Sequence, residues 1–289
     1  MISIVVCCRK DSDCSNLETS IRATIGLPYE LIVVNDSTYG DSIFRALNSG
    51  VEQASYEHIC ITHDDVQFHT NNWGNIVLNH LKKEGTGLIG IAGAPTLGNI
   101  PSDWSFDVQY KFLRQKKKQK KGPNVEISGV FNEENSLQVV TLDGVFLCCH
   151  KSLFQTLRFD ENRFSGFHSY DMDLCLQAHF SGYENRVIND VLIEHASMGN
   201  KNKSWIENQL ILWRKWSKLL PTSVLPINAH QLLKKEKHYM EYHFAKRMAK
   251  CGYSFDEIKQ ILKEYENLRG NQARFRTIHL LLAKVFDSH

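Results

Sequence analysis

The regular alternation of short apolar runs with helical segments is the feature that most restricts the fold of this chain. β-rich runs occur at Ile2–Cys8, Glu30–Val34, His58–Thr62 and Leu88–Ala92, and the segments between them keep their apolar residues at helical spacing. Such a βαβαβαβ series predicts an α/β fold with a mainly parallel sheet that is covered by helices on both faces. A chain of 289 residues can hold one large domain, or one domain with an appendage.

Further local signals lie outside these four runs. A long β-rich run at Gln138–Cys149 is interrupted by Asp143-Gly144, and another strand is expected at Arg186–Ile193. Asp11 or Ser12 could cap the first helix, and Ser254 with Glu257 forms a capping box for a helix late in the chain.

The third apolar run ends abruptly in polar residues. Ile59–Thr62 is followed directly by His63, Asp64 and Asp65. Carboxylates are poor strand residues and costly to bury, so a pair at a strand end indicates a solvated crevice that holds something cationic. In open α/β sheets ligands bind at the carboxyl ends of the strands. The expected occupant is a divalent cation carrying a nucleotide diphosphate, because carboxylate oxygens suit Mg²⁺ and Mn²⁺.

Charge divides the chain into two parts. Residues 1–200 carry 17 Lys+Arg and 24 Asp+Glu, a balance of −7, whereas residues 201–289 carry 17 and 8, a balance of +9. We therefore expect an α/β domain over residues 1–203 and a basic, all-helical subdomain over residues 204–289. The basic helices could contact an anionic partner or membrane surface, or form a homodimer, and a solvated basic face explains them equally well. A basic loop at Lys116–Lys121 is either a mobile loop or a cationic lid over phosphates.

The eight cysteines do not form a disulfide pattern. Cys7-Cys8 and Cys148-Cys149 are adjacent pairs inside apparent strands, where cysteine behaves as a small apolar residue, and no C-x-x-C occurs. No apolar run approaches the length of a membrane span, and the amino-terminal run lacks the features of a signal peptide. We expect reduced cysteines and a cytoplasmic protein.

Several common nucleotide and hydrolase motifs are excluded. The run Gly85–Gly90 matches G-x-G-x-x-G as text, but it follows a helix and enters a strand, the reverse of what a dinucleotide loop requires. The sequence contains neither a P-loop motif nor a G-x-S-x-G nucleophile motif. Dinucleotide-binding, P-loop and α/β-hydrolase proteins are therefore disfavoured.

Three further segments place chemically useful side chains near predicted strand or helix ends. Asp36 follows the second strand, where it could accept hydrogen bonds from a ribose or a base, or act only as a turn residue. Asp171 and Asp173 lie in the first turn of a predicted helix, where one could act as a general base and capping alone explains the other. His195 follows a late strand and becomes a candidate metal ligand there.

Over residues 1–200 these residues resemble the GT-A-fold glycosyltransferases, in particular family 2 enzymes of bacteria with a His-Asp-Asp form of the metal motif. The Asp-x-Asp motif of the family falls on His63-Asp64-Asp65, and its Glu-Asp pair falls on Tyr170-Asp171. The acceptor-side segment resembles Asp143–Phe146. Three residues depart from the family pattern: His63 replaces Asp, Tyr170 replaces Glu, and Gln177 replaces Arg.

The resemblance implies a role for each matching residue. It makes Asp171 the general base, with Asp173 as the second choice, and it makes Asp65 and His195 the metal ligands. His168 and Tyr170 would shape the acceptor side. The nucleotide and donor sugar would contact Cys8, Arg9, Asp36, His63, Asp64, Asp143 and Gly144.

The implied function is metal-dependent, inverting transfer of one sugar from a nucleotide-diphosphate sugar, UDP-linked by family precedent, to a hydroxyl acceptor. Mn²⁺ or Mg²⁺ would be the cofactor, and the acceptor would be a glycan, a lipid-linked intermediate or a protein, as in polysaccharide, capsule or glycoprotein biosynthesis. No nucleic acid is expected as a partner. The Q-x-x-R-W motif of processive synthases is missing, because Gln209 and Trp213–Trp216 have the wrong spacing.

Two alternatives remain open from the sequence. A catalytically silent GT-A-like nucleotide-binding or scaffold module would explain the unusual His63 and Tyr170. A sugar nucleotidyltransferase would also use a carboxylate–metal site, but it should show a glycine-rich phosphate loop after the first strand, and the sequence has none there.

Overall fold

The computed structural model describes residues 1–8, 13–107, 110–115, 124–128, 131–196, 199–270 and 275. The helices are α1 (Ser15–Thr24), α2 (Ile43–Gln53), α3 (Trp73–Leu81), α4 (Tyr170–Phe180), α5 (Lys203–Trp216), α6 (Ala229–His238), α7 (Ala245–Lys250) and α8 (Phe255–Arg269). The strands are β1 (Ile2–Cys8), β2 (Tyr29–Asn35), β3 (His58–Thr62), β4 (Val66–Phe68), β5 (Thr86–Gly90), β6 (Ala92–Ala94), β7 (Thr96–Leu97), β8 (Tyr110–Gln115), β9 (Asn124–Ser128), β10 (Ser136–Val139), β11 (Thr141–Leu142), β12 (Phe146–His150), β13 (Glu184–Ile188), β14 (Ile193–His195) and β15 (Thr222–Ser223). Short 3₁₀ turns lie at Asp36–Tyr39 and Lys151–Gln155, and a π-helical turn at Tyr239–Phe244 joins α6 to α7.

The central sheet of the described chain has the strand order β10-β13-β5-β12-β3-β1-β2. β1 runs parallel to β2 and β3, and β5 runs parallel to β13. β12 is inserted antiparallel between β3 and β5, with Phe146 opposite Thr62. The start of β12 therefore lies at the same edge as the end of β3. The predicted mainly parallel α/β sheet is confirmed, and this one reversed strand adds a second chain segment to its ligand-binding edge.

A second sheet, β11-β6-β8-β14-β4 with β9 beside β8, lies next to that edge. β14 pairs antiparallel with β4, and this register places His195 opposite Val66. Since Asp65 precedes Val66, the pairing brings a histidine from late in the chain beside the carboxylates that follow β3.

The apolar core fills both faces of the central sheet. Val5, Ile59 and Ile61 pack with the apolar sides of α2 and α4 in one buried cluster. Ile4 and Cys60 point to the other face and pack with α1 and α3. This alternation is expected for strands that are buried on both faces. It fixes the sheet rigidly beneath its polar edge.

The carboxy-terminal helices form a separate buried cluster around Trp205, Trp213, Met240, Phe244 and Tyr265. α5 belongs to both parts of the molecule, because Leu212 packs in the core of the main sheet whereas Trp213 packs among the helices. The predicted boundary at residue 203 coincides with the start of α5. The division into two domains at that point stays a prediction.

Asn99 joins the helices to the loop after β7. The indole of Trp213 donates to its Oδ1 at 2.8 Å, and its amide nitrogen donates to the carbonyls of Ser217 and Leu220 at 2.9 Å. Its backbone N–H donates to buried Glu236, which also pairs with Arg269 at 2.8 Å. Each of these buried polar groups therefore has a partner, as burial requires.

Several expectations about local structure are corrected. The interruption predicted at Asp143-Gly144 within the β-rich run Gln138–Cys149 is confirmed, because Asp143 accepts a hydrogen bond from the Val145 N–H and turns the chain out of the sheet. The run is also broken after Val139, so that it forms three short strands. The strand predicted over Arg186–Ile193 is also divided. The chain leaves the sheet after Ile188, where Asp190 pairs with His80 at 2.9 Å, and re-enters it at Ile193.

The expectation of cysteines without disulfides is wrong for one pair. Cys8, at the end of β1, is joined to Cys14, just before α1. Spacing alone gave no sign of this pair, because the two residues have no C-x-x-C relation. The other cysteines are thiols. Within the described residues, no helix is both long and apolar enough to cross a membrane.

The capping box predicted at Ser254 and Glu257 is confirmed at the start of α8. The helix cap predicted at Asp11 or Ser12 and the basic loop at Lys116–Lys121 lie outside the described residues. α1 begins at Ser15, whose N–H donates to Asp13.

Candidate active site

The candidate site lies at one edge of the central sheet, where chain segments from five elements meet. β1, β2 and β3 end there, β12 begins there, and β14 places His195 beside the end of β3. The amino terminus of α4 covers this edge, because the Asp171 carboxylate accepts a hydrogen bond from the Gly144 N–H at 2.9 Å. Most of the candidate residues that the structure describes therefore lie on segments that meet at this edge.

A possible metal site is formed by His63, Asp65 and His195. One potential ligand atom from each residue lies within 4.8 Å of the others. The Asp65 Oδ1 and His195 Nε2 atoms are 3.1 Å apart. Two ligands that are each about 2.1 Å from one ion, at an angle of about 90–100°, are themselves about 3.0–3.2 Å apart. Asp65 and His195 thus fit a divalent cation in both chemistry and spacing.

The two histidines differ in their electrostatic surroundings. Burial lowers the pKa of His63, and the neighbouring His195 lowers it further. Burial acts to lower the pKa of His195 as well, but the hydrogen bond and charge of Asp65 outweigh it and raise that pKa. The surroundings of Asp65 therefore favour a positive charge beside it. A bound cation would supply that charge.

His63 is held from its other side by Tyr170. The His63 Nε2 atom lies 2.8 Å from the Tyr170 hydroxyl, which donates to the Gly144 carbonyl at 3.1 Å. A Cβ atom at residue 144 would lie only 2.1 Å from the Tyr170 oxygen, so this approach requires glycine. Burial raises the pKa of Tyr170, so its hydroxyl keeps its proton. Gly144 therefore makes room for a tyrosine that orients His63.

The nucleotide side of the edge contains Asp36 and Asp64. Both carboxylates lie close enough to Cys7 to add to the effect of burial, which raises the pKa of its thiol to about 12. Asn35 caps the turn after β2 with its side chain, so Asp36 is not needed as the cap. Two half-buried carboxylates thus flank the end of β1.

Cys8 and Arg9 are the two residues whose assignment to the nucleotide the structure either does not support or does not describe. The Cys8 side chain is buried and bonded to Cys14, so its thiol is not available to a nucleotide. Arg9 lies outside the described residues. Cys7, which the sequence argument did not select, has a thiol whose pKa is raised by the charges of both Asp36 and Asp64.

Asp143 lies on the loop before β12 and is fixed by two hydrogen bonds. The indole N–H of Trp104 donates to its Oδ2 at 2.7 Å, and the Val145 N–H donates to its Oδ1 at 2.9 Å. Sequence reasoning missed Trp104, because a lone aromatic residue in an irregular loop gives no periodic signal. The Trp104 indole makes one wall beside Asp143.

Asp171 is a half-buried carboxylate at the start of α4. It accepts hydrogen bonds from the backbone N–H groups of Gly144, at 2.9 Å, and Met172, at 2.8 Å. Burial and the nearby charge of Asp143 raise its pKa to about 7, although these two hydrogen bonds act in the opposite direction. A carboxylate with such a pKa can both accept and release a proton near neutral pH.

Asp173 is one half-turn further along α4 and is almost fully buried. It pairs with Lys215 at 2.8 Å and accepts a hydrogen bond from the Trp216 indole at 2.8 Å. Gln177 donates to it from the next turn at 2.8 Å. These contacts tie α4 to α5. They also give Lys215 and Trp216 a structural role. The sequence argument considered these residues only in connection with the Q-x-x-R-W motif of processive synthases.

His168 lies on the loop that leads into α4. Burial lowers its pKa, while a hydrogen bond with Asn202 acts to raise it. The neighbouring Phe167 ring contacts His63, with a distance of 5.7 Å between ring centroids. The loop that carries His168 therefore lies against His63.

Comparison with known proteins agrees with this geometry. A family model described as "Glycosyltransferase like family" matches residues 3–214. No curated protein sequence matches the chain.

Three solved structures are similar in fold. TarS of S. aureus is 12% identical with a TM-score of 0.52, and the match covers 97% of this chain and 50% of TarS. GalNAc-T7, solved with UDP, GalNAc and Mn²⁺, is 8% identical with a TM-score of 0.55, covering 100% of this chain and 57% of that one. The mannosyltransferase PcManGT from Pyrobaculum calidifontis, in complex with GDP-Man and Mn²⁺, is 13% identical with a TM-score of 0.50, covering 99% and 84%.

The chain thus spans only 50% and 57% of the length of the first two structures. At these identities the likeness concerns the fold, whereas the family match rests on the sequence itself and covers most of the chain. Together with the sheet topology, these findings establish that the chain belongs to the Glycosyltransferase like family and has the GT-A fold.

Proposed function

We propose that the chain is a metal-dependent, inverting glycosyltransferase that moves one sugar from a nucleotide-diphosphate sugar to a hydroxyl acceptor. One observation carries the proposal: a cluster suited to a divalent cation and a carboxylate whose pKa is raised to about 7 lie at the same edge of the sheet. The first suits a diphosphate leaving group, and the second suits an attacking hydroxyl. The family match supports this combination.

Asp65 and His195 would hold the cation, Mn²⁺ or Mg²⁺. When bound, such an ion supplies the positive charge that a departing diphosphate requires. Asp36 and Asp64 would accept hydrogen bonds from the ribose or the base. We take UDP as the donor nucleotide, and the GalNAc-T7 structure with UDP and the PcManGT structure with GDP-Man make these two nucleotides the first to test.

Asp171 would act as the general base. It can take the proton of the acceptor hydroxyl while the sugar carbon is attacked on the face opposite the leaving group, which inverts the configuration. Asp173 was the second choice from the sequence, but its carboxylate is occupied by Lys215 and Trp216. Asp143 and Gly144 would contact the donor sugar, and His168 would line the acceptor side.

The remaining assignments follow from the same proposal. Trp213 and Trp216 have structural partners, which favours transfer of single sugars over processive synthesis. The basic carboxy-terminal helices would orient an anionic or lipid-linked acceptor or form a homodimer, and the product would be a polysaccharide, capsule or glycoprotein glycan. A cytoplasmic location is part of the proposal because six of the eight cysteines are thiols, although Cys8 and Cys14 are bonded to each other.

The test is thermal unfolding with UDP, GDP and CMP, each with and without Mn²⁺, followed by a screen of nucleotide sugars for metal-dependent hydrolysis. A ligand that binds only the native state raises the melting temperature. We expect one diphosphate nucleotide to stabilise the protein only when Mn²⁺ is present, and Asp65→Ala to abolish this effect. Stabilisation without hydrolysis or transfer of any sugar would favour a silent nucleotide-binding module instead.

A further inference from the structure

Two of the three motif positions at which this chain departs from its family, His63 and Tyr170, contact each other. His63 stands in place of Asp and Tyr170 in place of Glu, 107 residues apart, yet the His63 Nε2 atom and the Tyr170 hydroxyl are 2.8 Å apart. Two independent losses of family residues would not be expected to produce a hydrogen bond with good geometry. The pair therefore needs a common explanation.

The hydrogen-bond network assigns the proton on His63. The Tyr170 hydroxyl has one hydrogen, which it donates to the Gly144 carbonyl at 3.1 Å. Its oxygen must then accept from His63, so the Nε2 atom of that ring carries the proton. The Nδ1 atom is left with its lone pair.

That lone pair is directed at the other two members of the cluster. The His63 Nδ1 atom lies 3.2 Å from His195 Nε2, which lies 3.1 Å from Asp65 Oδ1. Both distances match the separation of about 3.0–3.2 Å between neighbouring ligands of one ion with bonds of about 2.1 Å. His63 thus meets the same spacing test as the two ligands already assigned.

We propose that His63 is a third metal ligand through Nδ1 and that Tyr170 is the positioning residue that holds it in the binding tautomer. The inference rests on the metal site of the proposed function and deepens it. Partners of this kind, which hydrogen-bond to the non-ligating nitrogen of a ligand histidine, fix its ring and tautomer. Gly144 completes the arrangement by leaving space for the hydroxyl.

Two imidazoles and one carboxylate also change which ion the site prefers. Imidazole suits transition metals, whereas carboxylate and water ligands suit Mg²⁺. An Asp-x-Asp arrangement offers an oxygen where this chain offers a nitrogen. We therefore expect the site to prefer Mn²⁺ or Co²⁺ over Mg²⁺, and His63→Asp to shift that preference towards Mg²⁺.

The experiment measures Mn²⁺ binding to the full chain without any nucleotide. Pulsed EPR of the Mn²⁺-loaded wild type should detect two directly bound imidazole nitrogens, and His63→Gln should show one. The Mn²⁺ dissociation constant should rise for His63→Gln and, through loss of orientation alone, by about 10- to 100-fold for Tyr170→Phe. Mg²⁺ should compete with Mn²⁺ more effectively in His63→Asp than in the wild type.

Tyr265→Phe is the matched control, because it removes a buried tyrosine hydroxyl that contacts Glu236 in the helical subdomain. It should leave Mn²⁺ affinity unchanged. A wild-type spectrum with one imidazole nitrogen, or equal Mn²⁺ affinity in wild type and His63→Gln, would overturn the inference. The wild-type spectrum decides even if a variant does not fold.

Failure of this inference is distinguishable from failure of the proposed function. A Mn²⁺ site with one imidazole but normal nucleotide-dependent stabilisation would remove only the role of His63. Two bound imidazoles without any nucleotide response or sugar transfer would leave the metal site intact and remove the transferase.

Discussion

Asp171 and Asp173 lie two residues apart in the first turn of α4, and their side chains end in different surroundings. Asp171 reaches the site and is bonded by backbone N–H groups, whereas Asp173 points into the protein and meets the ammonium group of Lys215. Burial acts to raise the pKa of both carboxyls. For Asp173 the charge of Lys215 opposes burial, and for Asp171 the charge of Asp143 adds to it. The same residue type is therefore a structural anchor in one position and a candidate base in the other.

The largest expected effect is on catalysis at Asp171. Asp171→Asn keeps the size of the side chain but removes the proton acceptor, so kcat should fall by about 10²- to 10⁴-fold. Metal-dependent stabilisation by nucleotide should persist, because Asp171 is not a member of the metal cluster. Initial rates of transfer and thermal shifts measure the two effects. Full transfer activity in this variant would remove Asp171 as the base.

The pH dependence of transfer gives the next effect in size. A base works only when deprotonated, and the pKa of Asp171 is raised to about 7. We expect kcat/KM to fall about tenfold for each pH unit below 7 and to level off above it. In Asp171→Asn, the fall of kcat/KM below pH 7 should be absent. A flat profile between pH 5 and pH 8 in the wild type would contradict the assignment.

Asp173→Asn should affect folding more than catalysis. The change leaves buried Lys215 with Asp160 as its remaining carboxylate, at 2.7 Å, so the free energy of unfolding should fall by about 1.5–3 kcal/mol. The loss in kcat should stay within about tenfold, less than a general base contributes. Urea denaturation and transfer rates test this. A catalytic loss as large as that of Asp171→Asn would make Asp173 the better candidate.

Asp171→Asn should affect stability in the opposite direction from Asp173→Asn. Because its folded-state pKa is raised, the native protein binds more protons than the unfolded chain between about pH 4 and pH 7, so the wild type loses stability as pH rises through this range. Asp171→Asn removes that loss. At pH 8 the variant should be at least as stable as the wild type, as measured by urea denaturation of both proteins.

The smallest effect is a shift of the pH profile through Asp143. Its charge helps to raise the pKa of Asp171, so Asp143→Asn should move the acidic limb of kcat/KM to lower pH. The Trp104 N–H can still donate to the amide oxygen of the new side chain. An unchanged midpoint would show that the charge of Asp143 does not contribute to the pKa of Asp171.

Much of the fold could be predicted because its signals are local. β1 and β3 have their predicted bounds, and the capping box of α8 is present. Adjacent residues of one segment carry such patterns directly. The reversed strand β12 could not be predicted, since a short apolar run does not reveal the direction in which it pairs.

The sequence indicates which residues to consider for the candidate site, but not how these residues contact one another. Asp65, Asp171 and His195 could be selected because each follows or begins a regular element. The contact between His63 and Tyr170 and the separation of Asp171 from Asp173 depend on residues far away in the chain. Lys215, which neutralises Asp173, is 42 residues distant from it. Such long-range pairing is set by packing and leaves no periodic trace in the sequence.

The anchoring of Asn99 has a consequence for how small an active fragment can be. The family match ends at residue 214, inside α5, but the carbonyl groups that follow α5 and the Glu236 carboxylate all hold Asn99. A fragment cut at that point would leave the Asn99 amide buried without these partners, and the segment that carries Trp104 towards Asp143 would lose its support. The smallest fragment that folds cooperatively should therefore be longer than the region that the family model matches, residues 3–214.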